Sequence, residues 1–191
     1  MTIGIDLDEV LAEFLSALIA HHNTTYGTCL TRAQFRSYKF WETWGGTREE
    51  AIQKMFIYYQ TPYFRELKPV AGSQQAVDHL KRNHELLLVT GRPNEITEAT
   101  HEWVHRHFPN CFLGIHFANH YSNSGSSRSK SDICDALGIE MMIEDTLDYA
   151  LECASPNRKV LLLDYPWNQL QELPQRIYRI RHWNEVSNFL S

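Results

Sequence analysis

The sequence predicts an α/β protein: a doubly wound parallel sheet carrying a small inserted helical cap. Three observations carry that prediction. From residue 85 onward, short continuous apolar runs alternate with segments of helical period, the pattern of strands buried on both faces and joined by crossover helices. The first run, Thr2 to Ile5, ends on two carboxylates, Asp6 and Asp8. The next clear core strand starts only near Glu85, far beyond the roughly dozen residues that a parallel crossover needs.

Thr2 to Asp8 reads as a buried strand, with Gly4 inside it, that emerges at a polar edge. From Glu9 to about His22 the apolar positions Val10, Leu11, Phe14, Leu15, Leu18 and Ile19 recur at three- and four-residue steps, which predicts a one-sided helix ending between Asn23 and Gly27. Thr31 to Gln34 and Thr47 to Glu50 have capping-box spacing, the second opening a helix with Ile52, Met55, Phe56 and Tyr59 on one side. Thr61 to Pro69 is irregular and holds two prolines, and Gly72-Ser73 opens a further helix through Val77 and Leu80. Strands follow at Leu86–Thr90, Phe112–Phe117, Glu140–Glu144, Lys159–Leu163 and Arg176–Ile180. Between them lie helices from Asn94, Lys130 and Thr146, and a short helix closes the chain near Leu190. No internal repeat is present, and Asn119 to Ser129 is the one low-complexity stretch. The expected domains are a core of residues 1–14 and 74–191 and a cap of residues 15–73, hinged near Phe14 and Pro69.

The 191 residues are 43% hydrophobic and 21% charged, with 18 Lys and Arg against 23 Asp and Glu. A net charge of -5 lacks the basic footprint of a general nucleic-acid binder. No apolar stretch reaches the ~18 residues that span a bilayer, and carboxylates stand where a signal peptide would be cationic and then apolar. A cytoplasmic protein is expected, with homodimerisation left open. Cys29, Cys111, Cys134 and Cys153 are scattered without C-x-x-C spacing, so neither a zinc site nor a redox pair is expected. His101 and His105 share a helix face but lack further ligands nearby, and read as a solvated face.

In open parallel sheets ligands bind outside the carboxyl ends of the strands. The residues following each apolar run are Asp6 and Asp8, then Thr90-Gly91-Arg92, then Glu144-Asp145, with Lys130 opening a helix after the Ser/Asn loop. Those types suit phosphoryl transfer, and the sequence has no G-x-x-x-x-G-K-[ST] loop for nucleotide hydrolysis. Asp6 is the expected nucleophile, forming an aspartyl-phosphate, and Asp8 the acid and base. A dianionic phosphate beside several carboxylates requires a hard divalent cation. Mg2+ is the expected cofactor, with Asp6 and Asp145 its side-chain ligands. Lys130 would neutralise phosphate and nucleophile, while the Thr90 hydroxyl and Gly91 amide hold phosphate oxygens.

Asp-Leu-Asp-Glu-Val at 6–10, Thr90, Lys130 and Glu144-Asp145, in this order and at strand ends, resemble the four motifs of the haloacid dehalogenase superfamily phosphatases. Ile3 to Phe14 and Tyr63 to Gly72 are similar to the cytosolic 5'(3')-deoxyribonucleotidases within it. That resemblance implies a haloacid dehalogenase-like core and removal of phosphate from nucleoside monophosphates, the small-molecule partner. It also implies that Asp8 contributes its backbone carbonyl to Mg2+, that Glu144 supports Asp145 at the metal, and that an aromatic pocket stacks on the base. Phe14, Phe40, Trp41 and Trp44 are the candidates for that pocket. Two departures stand out: Gly91-Arg92 follows the motif threonine where the eukaryotic enzymes carry serine, which points to phosphate contact by backbone and guanidinium. Glu144 replaces an aspartate of the usual acidic pair.

Blander readings compete. Phe40, Trp41 and Trp44 each read individually as the core of a helical insert, whereas Phe14 lies one turn from Asp8. Asp148 reads as a polar helix position and Asp164 as a turn cap, and Arg128 either reaches phosphate or is solvated. Among enzymes the alternative is a phosphatase for a phosphosugar or phosphoserine. From other classes, a receiver-like signalling domain would place a lone phosphoacceptor aspartate after a middle strand, where this chain has Val89-Thr90. A silent metabolite-binding relative would not need the full catalytic set.

Overall fold

A computed structural model describes residues 1–120, 122 and 125–190. Positions 121, 123 and 124 of the Ser/Asn-rich stretch therefore lie outside the described residues. Six strands form one sheet: β1 (Thr2–Ile5), β2 (Glu85–Thr90), β3 (Gly114–Phe117), β4 (Met141–Glu144), β5 (Lys159–Leu163) and β6 (Ile177–Ile180). Their order is β3-β2-β1-β4-β5-β6 and every neighbouring pair is parallel. Strand order reverses between β1 and β4, and in such sheets the crevice outside that switch point is where ligands bind.

Alternation along the strands builds a core on each face. Ile3, Ile5, Leu86, Leu88, Ile143 and Leu161 belong to one cluster, with Val77 and Leu80 of α5 (Ser73–Leu80) and Trp103 and Val104 of α6 (Thr97–His107). Leu87, Val89, Met142, Val160 and Leu162 belong to the other, against α7 (Lys130–Ala136) and α8 (Leu147–Cys153). Gly4 marks a close approach: a Cβ there would lie 2.8 Å from Met142 Sδ.

The chain between β1 and α5 forms α1 (Phe14–Tyr26), α2 (Trp41–Trp44), α3 (Arg48–Tyr59) and α4 (Pro62–Arg65). Its entry and exit segments pair with each other, Glu13 N–H donating to Lys68 O and Val70 N–H to Leu11 O, both at 2.8 Å. Thr47 and Glu50 close the expected capping box on α3, and Pro62 opens α4 at a position where no amide donor is needed. The Thr31–Gln34 box closes only a 3-10 turn, Arg32–Gln34.

The segment after β1 departs from its sequence reading. The first helix begins at Phe14 rather than Glu9, and ends at Gly27 in the left-handed conformation. Val10 and Leu11, whose spacing pointed to a helix, are wholly buried in the preceding turn, where Leu11 and Ala12 amides both donate to Leu7 O. Glu9 adopts a φ of 62° there, and its buried carboxylate accepts from Leu15 N–H and from Arg32. Glu9 thus caps α1 from outside the helix, supplying the acceptor that Glu13 at the N-cap does not.

Candidate active site

The register places the chemistry side by side. Ile5 pairs with Leu88 of β2 and with Ile143 of β4, so Asp6, whose amide donates to Ile143 O at 3.0 Å, leaves the sheet beside Glu144. Ser129 caps α7 by accepting from Asp132 N–H, which sets Lys130 in the first turn with its side chain buried. Its ammonium lies 2.9 Å from Asp6 Oδ1 and also pairs with Glu144 Oε1. One carboxylate oxygen from each of Asp6, Glu144 and Asp145 lies within 4.8 Å of the others. All three carboxylates are buried.

Burial pushes the Asp6 carboxyl up to about 7, with Lys130 opposing the rise and Glu144 and Asp8 adding to it. Asp145 is raised well above the carboxylate range by burial, Glu144 and Asp6. Burial disfavours the Lys130 ammonium, but Asp6 and Glu144 outweigh it and hold the group charged well above its ordinary range. Three buried carboxylates thus face one ammonium, and a divalent cation is what this all-oxygen set would balance. Glu144 already accepts from Lys130 and from the Asp145 and Thr146 amides. Asp145 accepts at Oδ1 from the Thr146 hydroxyl, 3.2 Å away, and at Oδ2 from the Trp167 indole.

Asp8, two residues after Asp6, does not join this cluster. Its carboxylate is held by Arg92, with Nε 3.0 Å from Oδ2 and Nη2 2.6 Å from Oδ1. The third arm of that guanidinium donates to Thr100 Oγ1 at 3.1 Å. Arg92, read from the sequence as a phosphate contact, is 3% exposed and lines the pocket beside Asp6 and Lys130 while it grips Asp8. Thr90 is buried and its hydroxyl accepts from Arg92 N–H at 3.2 Å, while Gly91 lies on the pocket wall beside His120.

Above these groups a pocket opens into the insertion, lined by Phe14, Phe40 and Trp41 together with Tyr38, Met55 and Tyr59. Trp44 is a correction: it faces away and stacks flat on His22, 4.7 Å between centroids and 6° between planes. On the core side the His120 and Tyr149 rings line the same pocket, joined by a 2.7 Å hydrogen bond between His120 Nδ1 and Tyr149 OH. The Lys130 ammonium sits 4.4 Å over the Tyr149 ring. Tyr38, Tyr59, His120 and Tyr149 carry no motif and escape sequence reading, although Tyr149 lies one turn into the helix that follows Asp145. Asp164 pairs with Arg179 and accepts from Gln169, and Asp148 lies in the first turn of α8. No described helix is long and apolar enough to cross a membrane.

The fold is that of haloacid dehalogenase-like hydrolases, with the strand-end cluster of carboxylates and a lysine at its switch point. The structure resembles a haloacid dehalogenase-like hydrolase of Streptococcus pneumoniae with a TM-score of 0.68 at 15% identity, covering 100% of this chain and 98% of that one. It also resembles YfnB of Bacillus subtilis, solved with magnesium bound, with a TM-score of 0.65 at 14% identity and 99% and 97% coverage. The family model described as "5' nucleotidase, deoxy (Pyrimidine), cytosolic type C protein" matches residues 1–191. The chain belongs to that family. It is 27% identical over 190 residues to a 5'(3')-deoxyribonucleotidase of Bacillus subtilis, covering 98% of this chain and 97% of the relative. A nucleotidase of Clostridium acetobutylicum is 27% identical over 138 residues, 72% of this chain and 67% of its own length.

Proposed function

We propose that the protein is a Mg2+-dependent 5'(3')-deoxyribonucleotidase that hydrolyses nucleoside monophosphates through an aspartyl-phosphate on Asp6. The observation that carries this reading is the buried Asp6 carboxylate at the sheet's switch point, in contact with Lys130 and opening onto an aromatic pocket. Asp6, Asp145 and the Asp8 backbone would hold Mg2+, with Glu144 supporting them. The ion would supply charge neutralisation between phosphate and carboxylates.

The residues of this chain divide the remaining work. Asp6 Oδ attacks phosphorus, the bond to the leaving oxygen breaks, and Asp8 gives that oxygen a proton. Asp8, now ionised, then takes a proton from water as the water attacks the same phosphorus, which frees inorganic phosphate and regenerates Asp6. Lys130 stabilises charge on the transferring group and opposes the rise that burial imposes on the Asp6 carboxyl. Arg92 fixes where Asp8 stands, and Gly91 lets the phosphate approach backbone. Residues 15–73 act as a cap that stacks Phe14, Phe40 or Trp41 on the base and shields the acyl-phosphate from stray water.

The test is phosphate release from deoxy- and ribonucleoside 5'- and 3'-monophosphates, a phosphosugar and phosphoserine, in Mg2+ and in EDTA. Asp6→Asn serves as the blank. Selective, Mg2+-dependent turnover of deoxynucleotides is expected. Turnover confined to the phosphosugar or phosphoserine would remove the base-stacking part of the proposal. Absence of any turnover above the blank would overturn the proposal.

A further inference from the structure

The Asp145 carboxylate accepts a hydrogen bond from a residue outside the lining of the pocket. Trp167, in the loop after β5, donates its indole Nε1–H to Asp145 Oδ2 at 2.9 Å and to Asp145 O at 3.1 Å. Its neighbour Asn168, fully buried, donates Nδ2–H to Asp145 O and to Leu163 O, both at 2.6 Å. The loop is thereby pinned to β5 on one side and to the residue following β4 on the other. The indole itself is 8% exposed and lies between aromatic neighbours. Tyr165 stacks on it at 4.6 Å and 15°, the Tyr38 ring meets it edge-on at 5.7 Å, and the Arg32 guanidinium lies 5.0 Å over it.

The choice of donor has a physical consequence. Three carboxylates crowd within 4.8 Å, and their repulsion favours any rotation of Asp145 away from Asp6. A lysine or arginine in place of Trp167 would prevent that rotation but cancel charge that a divalent cation needs. An indole N–H is a neutral donor with no acceptor capacity, so it fixes the carboxylate and leaves the site's negative charge intact. Tyr165 stacked on one face of the ring and Tyr38 set against it at right angles leave the donor little freedom to follow Asp145 elsewhere.

We propose that Trp167 is the positioning residue for the metal-binding carboxylate of Asp145, which its indole N–H holds toward Asp6 in readiness for a divalent cation. The inference rests on the assignment of Mg2+ to Asp6 and Asp145, and the experiment separates the two. Mg2+ binding is measured by calorimetry on the intact wild-type protein, on Trp167→Phe, which keeps an aromatic ring and removes the N–H, and on Asp145→Asn as a blank. The expected result is a dissociation constant raised ~10–100-fold in Trp167→Phe. Its kcat at saturating Mg2+ should stay within about threefold of wild type, a split that a general loss of structure would not produce. Affinity within about twofold of wild type in a folded Trp167→Phe overturns the proposal while leaving the metal assignment standing. Failure of the wild-type protein itself to bind Mg2+ above the blank overturns both. Should Trp167→Phe not fold, the 15N–1H indole resonances of the wild-type protein during Mg2+ titration decide. A Trp167 resonance that moves with the calorimetric midpoint supports the proposal, and one that stays fixed overturns it.

Discussion

The Asp8–Arg92 pair joins positions 84 apart in the chain, and its fork geometry is what a lysine cannot reproduce. Arg92→Lys is therefore expected to lower kcat for a nucleoside monophosphate by roughly 10–100-fold, part of the ~10²–10⁴ that acid–base catalysis supplies, with KM little changed. The loss should shrink for p-nitrophenyl phosphate, whose leaving group needs less protonation. Equal losses with both substrates would remove Arg92 from acid–base positioning. His22 tests the residue scale independently of catalysis. Burial, with Lys54 and His21 adding to it, pushes its imidazole down to about 4, and its Nε2 is buried without a hydrogen-bond partner. The folded state then holds His22 neutral where the unfolded chain protonates it. Stability is complete above pH ~6.5 and falls as pH drops toward 4, by at most ~1.4 kcal/mol per pH unit. Denaturant titrations between pH 7.5 and 4 should show a shallower loss in His22→Phe, which keeps an aromatic ring against Trp44 but cannot titrate. Parallel curves would contradict the assignment. At this scale Asp6, Lys130 and Asp145 were legible because strand-end position and residue type coincide. Arg92's commitment to Asp8 was not, since nothing local to Gly91-Arg92 shows a partner 84 residues away.

At the scale of elements, the turn between β1 and α1 depends on one partly buried ion pair. Glu9 is 1% exposed and pairs with Arg32 of the insertion. Burial pushes the Glu9 carboxyl up, and Arg32 opposes that rise. Arg32→Leu would leave the buried Glu9 carboxylate with only the Leu15 amide, at a cost of about 2–3 kcal/mol once the partial exposure of Arg32 is allowed for, whereas Thr47→Ala, which removes only the capping box of α3, should cost about 1 kcal/mol. Urea unfolding of the two variants checks the order, and a smaller loss in Arg32→Leu than in Thr47→Ala would contradict it. The same turn explains where periodicity failed. Val10 and Leu11 fit the helical stripe of Phe14, Leu15 and Leu18, yet they are buried as turn residues, and burial is all that a hydrophobic pattern reports. Trp44 failed for a related reason. In the one-turn helix α2, Trp41 and Trp44 sit three residues apart, and spacing alone does not say that only Trp41 faces the pocket.

For the whole molecule, the sheet brings charge to the switch point and the insertion brings rings above it. All six strands were legible in the sequence, because continuous apolar runs separated by helical segments admit few other architectures. The pocket's composition was legible only in part: Phe14, Phe40 and Trp41 were readable, whereas Tyr38, Tyr59, His120 and Tyr149 reach it through tertiary packing alone. If the rings stack on a base, Trp41→Ala should raise KM for a nucleoside monophosphate by roughly 5–150-fold, from ~1–3 kcal/mol per stacked base. KM for a phosphomonoester without a ring should hardly change, and a uniform rise across both would count against stacking. Asp6 is the proposed nucleophile, and the direct measurement is where the phosphoryl group resides during turnover. Asp8→Asn, mixed with p-nitrophenyl phosphate and Mg2+ and quenched in acid, should carry one phosphoryl group on the peptide containing Asp6, because the base for the second step is missing. Release of p-nitrophenol by this variant with no phosphoryl group on that peptide, or with one on a different residue, would contradict the account.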